Sequence, residues 1–308
     1  MVAQDITFRD VWASNLDEEF AELRKIVRKS TAVITNIEFP GICMTPIGTF
    51  FSQEHFSYQQ LLVNVNSLKP LQMGFTFIHK PVTIFQFNFH FNVAEDMCSD
   101  EALNAYQASG FDFDKHNTEG IDLLDFGELL ATSGLVVSKL TWVSYHAAFD
   151  FGYIVRALNG GSLPADIREF YNLFKKYFDT AYDVKCMMQH PNAVRRGLKS
   201  TMTLQDAAEA LQIRRVGKKY HSGSNCQLTA HVFYAIKDEI LKESWQEYSH
   251  EIRGLILGIG GKPVLPPGAV IQNIFVPKLL SSHNEAGHRV NSGTPGRSQR
   301  HSAAPMRI

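Results

Sequence analysis

A chain of 308 residues, 44% hydrophobic and 11% aromatic, carries ample material for a globular core, and its formal net charge of −1 makes no global case for or against a nucleic-acid partner. Cys43, Cys98, Cys186 and Cys226 stand singly, without Cys-x-x-Cys or a Cys/His cluster, which argues against a structural zinc site and against a disulfide framework. The first ten residues hold no apolar signal core and charged residues interrupt every apolar run, so the expected setting is a reducing one, cytoplasm or nucleus, with no membrane partner.

Asn15 followed by Leu16, Asp17, Glu18 and Glu19 predicts a helix start, a capping side chain ahead of acidic residues that the helix dipole favours. Leu16, Phe20, Leu23 and Val27 give this helix an apolar face, and Arg24, Lys25, Arg28 and Lys29 form its solvated basic end. Residues 32–38 then read as a buried strand broken by Pro40-Gly41. Side chains two apart on a strand share a face, so Asn36 and Glu38 lie side by side. Such a pair can hold a metal ion; taken alone, it is also what a polar strand end looks like.

A turn at Pro46-Ile47-Gly48 leads to strands at 71–78 and 83–91, and short connections among the three predict an antiparallel meander. Residues 83–91 alternate aromatic and polar side chains, placing Phe85, Phe87, Phe89 and Phe91 on one face, as a core row or as a platform for stacked bases. Residues 96–134 read as mostly helical and 135–145 as a strand. Phe151, Ile154, Val155 and Leu158 mark the next helix face, with Asp150 at its N-terminus beside a strand end. Further helices follow Pro164, span 204–211 and run from about Cys226. This order implies an α/β fold with a mixed sheet flanked by helices on both faces. From Gly258 the composition becomes linker-like, and 279–308 reads as a disordered tail with Arg289, Arg297, Arg300 and Arg307 against one acid, Glu285.

Asn36-x-Glu38, Asp150 and Asn225 at the start of the last long helix together resemble the exonucleases that carry Asp-x-Glu, Asp and Asp on a ribonuclease H-like sheet. Within that superfamily the chain resembles the Caf-one (Pop-two) poly(A) ribonucleases of the Ccr-Not deadenylase complex. The resemblance rests on Val11-Trp-Ala-Ser-Asn-Leu, Glu38-Phe-Pro-Gly, Leu71-Gln-Met-Gly-Phe-Thr-Phe, Gln86-Phe-Asn-Phe, Glu128-Leu-Leu-Ala-Thr-Ser-Gly, His146-x-x-x-Asp150-Phe-Gly-Tyr and His221-Ser-Gly-Ser. It spans roughly residues 6–262, so a ribonuclease H-like domain over 1–262 and a tail over 263–308 are expected.

The resemblance implies 3′ to 5′ shortening of mRNA poly(A) tails, by attack of water on a phosphodiester between two divalent ions, Mg²⁺ or Mn²⁺, about 3.5–4 Å apart. It makes Asn36, Glu38, Asp150 and Asn225 the metal-site positions, Glu38, Asp150 and His221 the catalytic candidates, and Phe39 an RNA contact. The implied partners are a poly(A) 3′ end, the large scaffold of the complex and its leucine-rich-repeat nuclease. Three positions depart from the family pattern: two aspartates are Asn36 and Asn225, and Tyr220 fills the usual histidine slot, with His221 one place on. Two carboxylates in place of four leave about two positive charges uncompensated at a two-ion centre. The readings are therefore an active deadenylase subunit, a catalytically impaired paralogue that binds RNA or serves as a scaffold, and a single-metal or metal-free RNA binder.

Overall fold

Polar turns and periodic apolar runs divide residues 6–260, the part of the chain described by the computed structural model, into strands and helices that alternate along most of its length. In chain order these are β1 (Ile6–Val11), α1 (Leu16–Val27), β2 (Ala32–Glu38), α2 (Gln53–Ser67), β3 (Gln72–Ile78), β4 (Val82–Asn88), α3 (Asp100–Ala108), α4 (Phe113–Glu119), α5 (Leu123–Thr132), β5 (Thr141–Ser144), α6 (Ala148–Leu158), α7 (Ile167–Tyr177), β6 (Thr180–Asp183), α8 (Val184–Met187), α9 (Pro191–Arg195), α10 (Leu204–Ala210), α11 (Ser222–Ala235) and α12 (Trp245–Ile252). A π-helical turn, Ile236–Ile240, extends α11. The expected tail over 263–308 lies outside the described residues.

The strands form one mixed sheet in the order β1-β4-β3-β2-β5-β6. β3 runs antiparallel to both of its neighbours, whereas β1 with β4, β2 with β5 and β5 with β6 are parallel pairs. The mixed α/β sheet is as expected, but the meander needs correction: the link from β2 to β3 contains α2, capped by Ser52, whose hydroxyl accepts the His55 N–H at 3.2 Å. The strand expected over 135–145 is reduced to Thr141–Ser144. Ser133 and Ser138 hydroxyls close turns on Leu135, accounting for its N–H and carbonyl before any ladder can form. At the start of α1, Asn15 caps by position only, because its Oδ1 accepts the Trp12 N–H at 2.8 Å. Gly258 is no linker start either, since Ile256 and Ile259 are buried in the main core.

Alternation along the strands sorts the two faces. Val33, Ile37, Phe75, Phe77, Phe85, Phe87 and Trp142 pack on one face with Phe20 of α1, Phe126 of α5 and Phe151 of α6. Phe85, Phe87, Phe89 and Phe91 are at most 1% exposed, so the phenylalanine row is core and not a stacking platform. At about 1.5–3 kcal/mol each, burying the four contributes about 6–12 kcal/mol, the scale of a domain's whole net stability.

The opposite face carries Ile34, Val143, Asn36 and Glu38 and is covered by α11. Gly74, paired with Asn36 across the β2–β3 ladder, permits this close approach. A Cβ at Gly74 would lie 2.7 Å from the Ser222 carbonyl carbon and oxygen and 2.8 Å from Cys226 Sγ. Polar strand residues then dock the helix N-terminus: Gln72 Oε1 accepts the Ser222 N–H at 3.1 Å and Gln86 Oε1 the Gly223 N–H at 3.3 Å. These bonds satisfy amides that the helix itself leaves unpaired.

Candidate functional site

The C-terminal end of β2 delivers Glu38 into a buried polar cluster. Its Oε1 accepts a 2.6 Å hydrogen bond from Asn225 Nδ2, in the first turn of α11, although 187 positions separate the two residues. Its Oε2 lies 3.1 Å from the Tyr106 hydroxyl, which is also 2.9 Å from the Phe39 carbonyl. Burial pushes the Glu38 carboxyl up to about 7, against the lowering influence of Tyr106, Asn225 and the Arg215 charge.

Asn225 has its other end engaged as well. Arg215, on the loop between α10 and α11, donates from Nη1 to Asn225 Oδ1 at 2.6 Å and to Ser224 Oγ at 3.2 Å, while its Nε donates to Gln205 Oε1 at 2.8 Å. The guanidinium is thus held in place, half-buried, with Asn225 as a neutral bridge from it to Glu38. Neither Arg215 nor Tyr106 was legible as a site residue, because no local pattern links them to the strand end.

Asp150 lies in the first turn of α6. It does not cap that helix; its Oδ1 accepts the Ile37 N–H at 2.8 Å, and its Oδ2 accepts from the Ser144 hydroxyl at the end of β5. Burial raises its carboxyl to about 8; Ser144 and Ile37 lower it, and the nearby Asp183 and Glu38 add to the rise. Asp183, likewise absent from the sequence reading, fixes the β5–α6 loop. Its two oxygens accept the N–H groups of His146 at 2.9 Å, Ala147 at 3.2 Å, Lys185 at 3.0 Å and Leu257 at 3.0 Å. His146 has φ 62°, a left-handed conformation uncommon outside glycine, and the bond from its N–H to Asp183 holds it there.

Phe39, the expected RNA contact, is half-buried and stacks on Phe149 of α6, ring centroids 4.4 Å apart and planes at 10°. Asn36 Oδ1 is buried and has no hydrogen-bond partner. His221 is not drawn into the Glu38 cluster. It packs against Phe111 at 5.9 Å with Nε2 buried and unpartnered, and burial lowers its pKa. Tyr220, with φ 57°, turns to the surface with its ring 5.8 Å from that of Tyr106.

This donor set does not fit a pair of divalent ions. Hard cations need anionic oxygens, yet the site supplies two carboxyls and two neutral amides, and one of the amide oxygens is already taken by a guanidinium. Among the described residues no group of three or more His, Cys, Asp or Glu side chains is arranged to hold a metal ion.

The model for the CAF1 family ribonucleases matches residues 11–132 and 125–303. CCR4-NOT transcription complex subunit 7 of Caenorhabditis elegans is 37% identical over 265 residues, covering 84% of this chain and 85% of the relative. Poly(A) ribonuclease pop2 of Schizosaccharomyces pombe is 38% identical over 236 residues, covering 74% and 69%. Among solved structures, S. pombe Pop2p in its Mg²⁺- and Mn²⁺-bound form superposes with a TM-score of 0.74 at 34% identity, over 82% of this chain and 99% of that one. The CAF1 chain co-crystallised with the yeast NOT1 MIF4G domain gives 0.63 at 26% identity, over 81% and 96%. Sheet order, helix placement and these matches agree, and the chain belongs to the CAF1 ribonuclease family.

Proposed function

We propose that this chain acts on poly(A) tails as a Caf-one-like subunit of a Ccr-Not assembly, in the cytoplasm and nucleus, as a holder of the RNA 3′ end whose own hydrolytic site is disabled. The observation that carries this reading is the bridge Arg215–Asn225–Glu38. It gives Glu38 a neutral amide partner, itself tied to a guanidinium, at a position where the family resemblance implies a carboxylate ligand for two-ion hydrolysis. Removing one member of a coupled catalytic unit costs orders of magnitude in rate, and here two ligand positions are amides. Phe39, stacked on Phe149 beside Glu38, supplies an aromatic edge for a terminal base. The family fold supports docking to a NOT1-type MIF4G domain and to a leucine-rich-repeat nuclease, since a homologous chain is co-crystallised with the former.

A second reading, occupancy by one Mg²⁺ or Mn²⁺, is favoured by a single observation: Asn36 Oδ1 is buried and unpartnered on the same strand as Glu38.

A gel assay of 5′-labelled oligo(A) with Mn²⁺ or Mg²⁺ tests the proposal, run on this chain and on Asn36→Asp combined with Asn225→Asp. The expected result is no shortening by the unaltered chain and a product ladder from the double variant. Shortening by the unaltered chain that Glu38→Gln abolishes would sink the disabled-site reading. Calorimetric titration with Mn²⁺ separates single-ion occupancy from none.

A further inference from the structure

Beside the Glu38 cluster lies a groove of about 1020 Å³ between α3 and the loop that leads into α11. Its volume is at the upper end of the range that holds small-molecule ligands. Arg215, Lys218, Lys219 and Glu209 line it, three cations and one acid, and Glu209 Oε1 is already engaged by Gln205 at 2.9 Å. Among the described residues Lys218 and Lys219 make no ion pair. Arg215 is committed to the Asn225 bridge and Asp206 lies near Lys219, so the charge free to meet a ligand is that of the two lysines.

Tyr220 forms the aromatic part of the lining. The residue is 41% exposed, and its ring meets that of Tyr106 at an interplanar angle of 76°. The Tyr106 hydroxyl in turn touches Glu38, so the groove and the buried site share a wall. An exposed aromatic face flanked by two unpaired lysines is the arrangement that binds single-stranded nucleic acid, stacking a base and meeting its phosphate.

We infer that this groove receives a nucleotide of a single-stranded RNA, its base stacked on Tyr220 and its phosphate met by Lys218 and Lys219. The inference rests on the poly(A) reading above and adds to it a second contact region beyond Phe39. Free mononucleotide offers the same chemistry as a nucleotide within a chain, so both are probed.

The test is fluorescence anisotropy of 5′-fluorescein-labelled A₁₀ with the full chain in EDTA, across a series of salt concentrations. Tyr220→Ala is expected to weaken binding by about tenfold, and Tyr220→Phe to retain it. Lys218→Gln with Lys219→Gln is expected to flatten the slope of log affinity against log salt by about 0.7, the loss of one neutralised phosphate. In Tyr220→Trp the indole emission should be quenched as A₁₀ is added, a signal that a merely structural tyrosine would not give. Binding of A₁₀ unchanged in all these variants overturns the groove and leaves the poly(A) reading standing. If the unaltered chain fails to bind A₁₀, the poly(A) reading fails, and AMP decides the groove: quenching of Tyr220→Trp by AMP supports a free-nucleotide site, and no quenching overturns the groove as well.

Discussion

Arg215 Nη1 and Asn225 Oδ1 are 2.6 Å apart, and the same amide donates to Glu38 at 2.6 Å, so one asparagine joins a fixed cation to a buried acid. Asn225→Ala removes a donor from Glu38 and an acceptor from Arg215 at once. Leaving a buried polar group unpaired costs about 1–3 kcal/mol, and loss of stability in that range is expected. Urea denaturation at neutral pH measures it; a midpoint equal to that of the parent would show that water replaces both bonds without cost.

Stability should fall as pH rises from about 5 to 7 in the presence of EDTA. Asp150 is raised to about 8 in the folded chain from 3.8, and Glu38 to about 7 from 4.5, each chiefly by burial. Between those limits the unfolded chain gives up its proton first and the folded chain keeps it. Each group then lowers stability by up to about 1.4 kcal/mol per pH unit. Asp150→Asn should flatten the slope; an unchanged slope would show that Asp150 is already ionised when folded.

His116 opposes that slope between about pH 4 and 6.5. It is buried with Nδ1 2.7 Å from the Phe89 carbonyl, and burial lowers its pKa to about 4. The unfolded imidazole takes up a proton near 6.5, so stability is lost as pH falls from 6.5 towards 4. His116→Asn, compared with the parent by thermal melts at pH 7 and pH 5, should gain more stability than the parent does on going from pH 7 to pH 5, because the opposing imidazole is gone. An equal gain in the two proteins would assign the acid sensitivity elsewhere.

Gly74→Ala tests the seat of α11. The added methyl would meet the Ser222 backbone at 2.7 Å, and overpacking of this kind costs about 1–3 kcal/mol. The helix N-terminus that carries Asn225 should lift, which hydrogen exchange at Ser222 and Gly223 would register as faster. Exchange unchanged from the parent would mean that the strand yields instead of the helix.

The sequence was most legible where one side chain's environment is set by its own element. The apolar alternation of β4 and the face of α6 read correctly because burial follows local period. α2 escaped because its buried residues, Tyr58, Leu61, Asn64 and Val65, include an asparagine, and its half-buried positions mix leucine and valine with glutamine. β1 and β6 are edge strands of six and four residues, too short for a period to show. At the site, Glu38 and Asp150 were found through family likeness. The groups that set their protonation, Tyr106, Ser144, Asp183 and Arg215, come from four different segments and leave no mark in any one of them.

The 187 positions between Glu38 and Asn225 also order events in time. At translation rates of about 5–20 residues per second, Asn225 leaves the ribosome about 10–40 s after Glu38. Until then the face of the sheet that α11 will cover stands open, with Glu38, Gln72 and Gln86 in contact with solvent or with whatever binds a nascent chain. The pocket is therefore among the last parts of the domain to close, and a ribosome halted before residue 222 would display a nearly finished sheet with its acid still unguarded.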